Sequence, residues 1–155
     1  IKKQKILQIL LMWSTGTNLC AQVLVEADQM PYFPGCERYA QGSAEKRQCS
    51  NHGVISFISN YLEYPEAAKK DQIEGTVYVS FVVEKDGTVN APELLRDIGS
   101  GCGAAALEVV RKMPLWEPGI HGGEKVAVKL NLPVKFYFAG EEGTEEEPPY
   151  KIHWG

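Results

Sequence analysis

The sequence lacks the clusters of basic residues that nucleic-acid-binding proteins require and the spaced ligand residues that metal-binding proteins require. Its 16 Lys and Arg are outnumbered by 20 Asp and Glu, the formal net charge is −4, and the basic residues form no stripe. An acidic chain of this kind is a poor binder of nucleic acid. Its 3 histidines, His52, His121 and His153, have no spacing that suits a metal site. We therefore expect no nucleic-acid partner, no metal and no cofactor.

A catalytic constellation is also missing. Cys102 follows a glycine-rich break and stands at a predicted helix start, where a thiolate is favoured. Neither His52 nor His121 is held near it by the sequence, and no acid partner is evident. The break over residues 99–103 lacks the lysine of a phosphate-binding loop. We predict that the chain is not an enzyme and that Cys102 is a small, partly buried cap; a nucleophile or a disulfide with the N-terminal region are the alternatives.

No apolar stretch at the N-terminus is long enough to span a bilayer, which takes about 20 residues. The apolar run over residues 6–13 follows a lysine-rich start at residues 2–5 and precedes small and polar residues ending at Ala21. This pattern predicts a signal peptide over residues 1–21 and export of the remainder, with a membrane anchor not expected. Acylation of Cys20 and an uncleaved anchor are the alternatives.

Cysteine is scarce, with 4 in the chain. Cys20 lies in the predicted signal, so Cys36, Cys49 and Cys102 remain, and these can form one intramolecular pair. Cys36 and Cys49 flank a short polar segment, and a disulfide between them would stabilise the fold by about 3 kcal/mol. Export permits such a bond. Two free surface thiols are the alternative.

Hydrophobic periodicity then predicts a mixed helix and strand pattern. Apolar residues at helical spacing predict an amphipathic helix over residues 53–62, and Pro65 opens a second short helix that ends near Asp71. A strand starts at Gly75, with valine and phenylalanine alternating along one face. Asp86-Gly87 predicts a hairpin turn.

The strand after this turn, Thr88 to Arg96, contains Pro92 and should therefore lie at a sheet edge. A further helix is predicted to bury one stripe, with Ala106 and Val110 at its centre, before Pro114.

The last strand has the most regular pattern in the chain. Seven apolar residues alternate with other residues from Val126 to Phe138. This pattern predicts a strand with one buried face and one solvent-exposed face. Pro133 lacks an N–H donor and therefore favours an edge position. An exposed edge is a place where another chain can add a strand. This pattern favours a binding module over an enzyme.

At this level of detail the sequence resembles a known family, the C-terminal domain of TonB, the periplasmic energy transducer. The matching pieces cover about half of the chain, and their order and spacing carry the resemblance: Tyr64-Pro65-Glu-Ala-Ala68, Ile73-Glu-Gly75, Phe81-Val-Val-Glu-Lys-Asp-Gly87, Leu94-Leu-Arg96, Ala106-Leu-Glu-Val-Val-Arg-Lys-Met-Pro114, Trp116-Glu-Pro-Gly119 and Leu132-Pro-Val-Lys-Phe136. The cysteine-containing segment ahead of Tyr64 resembles a subset of this family.

The resemblance implies an α+β fold, with two helices packed on one face of a three-stranded antiparallel sheet, plus an N-terminal helical lead-in. It also implies a partner, the TonB box of outer-membrane transporters, captured in the periplasm by strand addition to the last strand. The residues implied in the edge strand are Lys125, Val126, Ala127, Val128, Lys129, Leu130, Asn131, Leu132, Val134, Lys135 and Phe136, with the loop Trp116, Glu117, Pro118 and Gly119 at one end.

A full transducer also has a membrane-spanning helix and a long proline-rich spacer, which are not seen in this sequence. We therefore expect a stand-alone exported form. The predicted division is a signal peptide (1–21), a lead-in (22–63), the TonB-like domain (64–138) and an acidic, disordered tail (139–155). The alternative function is structural: the same edge pairs with a second copy and forms a homodimer.

Overall fold

The computed structural model describes residues 23–138. The predicted signal peptide and acidic tail lie outside the described residues. Within the described part the elements are, in chain order, α1 Ala44–Tyr61, α2 Glu66–Lys70, β1 Gly75–Val83, β2 Val89–Arg96, α3 Cys102–Arg111, β3 Gly119–His121, β4 Glu124–Val126 and β5 Val128–Phe136. No helix between residues 23 and 138 is long and apolar enough to cross a membrane. The predicted α+β class is confirmed.

The main sheet of residues 23–138 is three-stranded and antiparallel, with the order β2-β1-β5. The central strand, β1, buries the predicted apolar face completely, and Val77 and Phe81 are both 0% exposed. The same core contains Val54 and Ile58 of α1 and Val110 of α3. The sheet therefore has one face covered by helices, and both β2 and β5 are edge strands, as the two prolines predicted.

Strand β2 carries a bulge that bends this edge. Ser80 of β1 pairs with Glu93, whereas Val82 pairs with Asn90, so β2 contains one residue more than β1 between these two pairs. Ala91 adopts a positive φ of 47° at the bulge, and Pro92 follows it. A bulged, proline-containing strand is a poor template for further pairing.

The hairpin turn between β1 and β2 forms where Asp86-Gly87 predicted it. The Asp86 carboxylate accepts hydrogen bonds from the N–H and the hydroxyl of Thr88, at 2.9 and 2.6 Å. Gly87 has φ +87°, and a Cβ at this position would lie 2.1 Å from the carbonyl oxygen of Trp116. Both the conformation and the space therefore require glycine here.

Helix α1 begins at Ala44, nine residues before the predicted start at 53, and this prediction was wrong. Ser43 caps the helix, because its hydroxyl accepts a hydrogen bond from the N–H of Lys46 at 3.1 Å. The first half of α1 buries Lys46 and Ser50, which are polar, so the apolar periodicity starts only in the second half. The short helix α2 begins after Pro65, as predicted.

Residues 23–33, which we call the N-terminal belt, join the domain through three isolated bridges. Leu24 pairs with Val128 in parallel, and two antiparallel bridges connect Gln29 with Ile120 and Tyr32 with Glu117. The predicted Cys36–Cys49 disulfide is confirmed, and it links the chain after the belt to α1. The belt is therefore fixed both to the sheet and to the first helix.

Candidate partner-binding edge

Strand β5 lies at the side of the sheet opposite the bulged β2, and it pairs with β1 over its whole length. The register runs without a break from Val83 opposite Val128 to Gly75 opposite Phe136. Val128, Leu132 and Phe136 point into the core and are at most 1% exposed. This burial fixes the register, since a one-residue slip would turn the apolar side chains to the wet face.

The backbone groups on the outer side of β5 follow from the hydrogen bonds of Leu24. The N–H of Lys129 donates to the carbonyl oxygen of Leu24 at 2.7 Å, so Lys129 turns its backbone groups away from β1. Because backbone direction alternates along a strand, Asn131, Pro133 and Lys135 also turn outward. Asn131 and Lys135 thus offer N–H donors at the edge, and Pro133 offers only its carbonyl oxygen.

Among residues 23–138 no backbone carbonyl accepts a hydrogen bond from the outward N–H groups of Asn131 and Lys135. The missing donor of Pro133 costs the sheet nothing, because this residue faces Tyr78 at a position where β5 and β1 exchange no hydrogen bonds. The stretch from Asn131 to Phe136 is therefore a free sheet edge within the described chain.

The wet face of the sheet beside this edge forms an open groove of about 970 Å³. It combines apolar side chains with two lysines. Tyr78 is 39% exposed and Leu95 is 49% exposed. The lining residues are Val25, Met30, Thr76, Tyr78, Leu95, Lys129, Leu130, Asn131, Pro133 and Lys135. A strand added to β5 would place alternate side chains over this groove.

Charge in the groove is unevenly balanced. The ammonium of Lys129 reaches across the sheet to the Glu93 carboxylate on β2, at 3.3 Å. Lys135 makes no ion pair within residues 23–138. Lys135 is therefore a lysine of the groove without a carboxylate partner among the described residues, and it suits an acidic side chain on a partner.

The predicted loop Trp116–Gly119 is held inside the molecule. Trp116 is 5% exposed and packs edge-to-face on Phe33 and Phe81, with ring centroids 5.4 and 5.6 Å away. The backbone of Glu117 exchanges two hydrogen bonds with Tyr32, at 2.9 and 3.1 Å. Pro118 is half-buried. This loop positions β3 and the belt, and its backbone is already paired.

A buried ion pair adds to this attachment. The ammonium of Lys46 lies 2.7 Å from Glu117 Oε2, with the two side chains 2% and 24% exposed. The same ammonium lies 5.1 Å from the ring centroid of Tyr32. This pair could not be predicted from the sequence, because 71 residues separate its partners and no local pattern signals it.

The predicted continuous strand from Val126 to Phe138 is wrong at its start. Regular pairing stops at Ala127, and Lys125 and Val126 belong to β4, which pairs with β3 in a separate hairpin. The turn at Gly122-Gly123, where both φ values are positive, closes this hairpin. Gly119 must be small here, since a Cβ would lie 2.6 Å from Val128 Cγ2. The free edge is therefore shorter than predicted.

Cys102 lies at the start of α3 and is fully buried. Burial raises the pKa of its thiol, and the nearby Asp97 carboxylate adds to the rise. Within residues 23–138 it is the cysteine outside the disulfide, and its environment disfavours the reactive thiolate. His52 and His121 are exposed, and His121 faces Asp28 at 3.4 Å, whereas His153 lies outside the described residues. No cluster of metal-ligating side chains occurs between residues 23 and 138.

Residues 60–138 match the family described as Gram-negative bacterial TonB protein C-terminal. Two solution structures of the Helicobacter pylori TonB C-terminal domain are similar. One, of its residues 179–285, is 24% identical and covers 66% of this chain and 100% of its own, with a TM-score of 0.43. The other, of its residues 194–285, is 25% identical and covers 59% and 95%, with a TM-score of 0.41. No curated protein matches the sequence.

Proposed function

This chain belongs to the family of TonB C-terminal domains, and on that premise we propose that it is a periplasmic module that binds an extended peptide by adding it as a strand to β5. The partner would be the TonB box of an outer-membrane transporter. The observation that carries the proposal is the free run of outward backbone groups from Asn131 to Lys135, which among the described residues no other backbone occupies.

The edge supports strand addition for two physical reasons. Main-chain hydrogen bonds to the N–H groups of Asn131 and Lys135 would supply affinity, and the groove beside them would accept alternate side chains of the peptide. The opposite edge is bent by the bulge at Ala91-Pro92, so β5 is the better template. The Trp116–Gly119 loop would hold the end of β5 in place and would contact the peptide little.

An NMR titration of the protein with a TonB-box peptide tests the proposal when it is combined with two substitutions at one position. Asn131→Pro removes an outward N–H that β1 does not use, and Asn131→Ala keeps it. We expect the proline variant to bind about tenfold more weakly or worse, and the alanine variant to bind within about threefold of the unmodified protein.

The amide signals of β1 serve as the check that both variants remain folded. Equal affinity of the folded proline variant and the unmodified protein would rule out this register. The same edge would also pair two copies of the chain, so sedimentation over a range of concentrations is needed beside the titration. A dimer that dissociates as peptide is added would show that both reactions use β5.

A further inference from the structure

One end of the β5 edge is already occupied by the chain itself. The N–H of Leu24 donates to the carbonyl oxygen of Ala127 at 2.9 Å, and the carbonyl oxygen of Leu24 accepts from the N–H of Lys129 at 2.7 Å. Leu24 therefore takes two of the outward backbone groups that an added strand would need beyond Asn131, the N–H of Lys129 and the carbonyl oxygen of Ala127. We propose that Leu24 closes this end of the edge to any added strand and so sets the length and register of the partner.

The attachment of the belt makes Leu24 a strong competitor. Five residues farther along the chain from Leu24, Gln29 exchanges two hydrogen bonds with Ile120, each of 2.9 Å. A short tether of this kind holds a bound segment at an effective concentration in the millimolar range. A peptide in solution that uses the same groups must displace a neighbour that is always present.

The geometry of the belt also limits what it covers. Leu24 runs parallel to β5, and the chain bends away at Val25. The belt therefore pairs with β5 beside Val128 and leaves the rest of this edge unpaired. The uncovered stretch from Asn131 to Phe136 is about 20 Å long at 3.4 Å per residue. It fits a short extended segment of about six residues, and a longer strand would fit only after Leu24 has left.

The part of this inference that concerns peptide binding rests on the proposed function. The occupancy of the edge by Leu24 can be tested without a peptide. The full chain is compared with Leu24→Pro, which removes the N–H that donates to Ala127 and places a ring against the edge. Leu24→Ala is the matched control, because it shortens the side chain and keeps the backbone donor.

The first measurement is amide hydrogen exchange without peptide. In the unmodified protein and in the alanine variant, the Lys129 amide should exchange at least about tenfold more slowly than the Asn131 amide. In the proline variant this difference should disappear. Equal exchange of the two amides in the unmodified protein would overturn the inference.

The second measurement adds a synthetic TonB-box peptide. We expect the proline variant to bind roughly threefold to tenfold more tightly, with protection extending to Lys129, while protection in the unmodified protein begins at Asn131. The same footprint and the same affinity in both proteins would contradict the inference. If the peptide binds none of the three proteins while the exchange difference persists, the proposed function fails and the closure of the edge by Leu24 stands.

Discussion

The buried pair of Lys46 and Glu117 allows a sharp prediction about stability. The Lys46 ammonium contacts a single carboxylate oxygen at 2.7 Å, and the side chain is 2% exposed. Glu117→Ala would leave this charge buried without a counter-ion. Removal of one partner from a buried ion pair costs about 3–5 kcal/mol, so we expect a loss of this size in the free energy of unfolding.

The reverse substitution should cost much less. Lys46→Met keeps the apolar stem in place, and the remaining Glu117 carboxylate is 24% exposed and still accepts a hydrogen bond from Gln41 Nε2 at 3.2 Å. We expect a loss of about 1–2 kcal/mol. The double variant should be more stable than Glu117→Ala alone, because methionine removes the charge that alanine left unpaired.

Urea unfolding of the oxidised proteins, followed by circular dichroism, measures the free energy of unfolding of the unmodified protein, the two single variants and the double variant. The dependence of this free energy on urea concentration is fitted separately for each protein. The order of losses is the test: Glu117→Ala should exceed both Lys46→Met and the double variant. If the two single losses were equal, or if they added in the double variant, the pair would not be the buried, coupled contact described above.

Three further predictions concern other parts of the molecule. Serine at both Cys36 and Cys49 should lower the free energy of unfolding by about 3 kcal/mol, since the bond closes a loop of about 14 residues; unchanged urea midpoints with and without a reductant would refute this. Gly87→Ala should cost about 2 kcal/mol or more, because a Cβ would lie 2.1 Å from the Trp116 carbonyl oxygen; a melting temperature equal to that of the unmodified protein would contradict it. Because burial raises the pKa of the Cys102 thiol, alkylation at pH 8, located by mass spectrometry, should be on the order of a hundredfold slower in the folded protein than in urea, and equal rates would show that this thiol is accessible.

Much of the sheet could be predicted from the sequence, because the signals that build it are local. The alternation of apolar residues predicted β1 and most of β5. Asp86-Gly87 predicted the turn between β1 and β2, and Pro133 predicted the position of β5 at a sheet edge. Each of these depends on a residue and its close neighbours along the chain.

The missed first half of α1 and the missed bridge of Leu24 depend on contacts between distant parts of the chain. The first half of α1 is stabilised through Lys46, which pairs with Glu117, and through Ser50, whose hydroxyl accepts a hydrogen bond from the N–H of Phe33 at 2.7 Å. Neither residue type signals burial. The bridge of Leu24 to β5 likewise follows from the path of the belt over the domain, and no periodicity in a short segment predicts a partner about a hundred residues away.

The bulge at Ala91-Pro92 has a consequence for assembly. A sheet with two open edges can extend in both directions, and copies of it can stack into a fibre. Here one edge is bent at the bulge, so growth is possible at β5 alone. A contact between two β5 strands uses the same surface on both copies and closes on itself as a pair. Addition of a second copy at β5 therefore leaves the bulged β2 strands at both outer edges and ends the growth of the sheet.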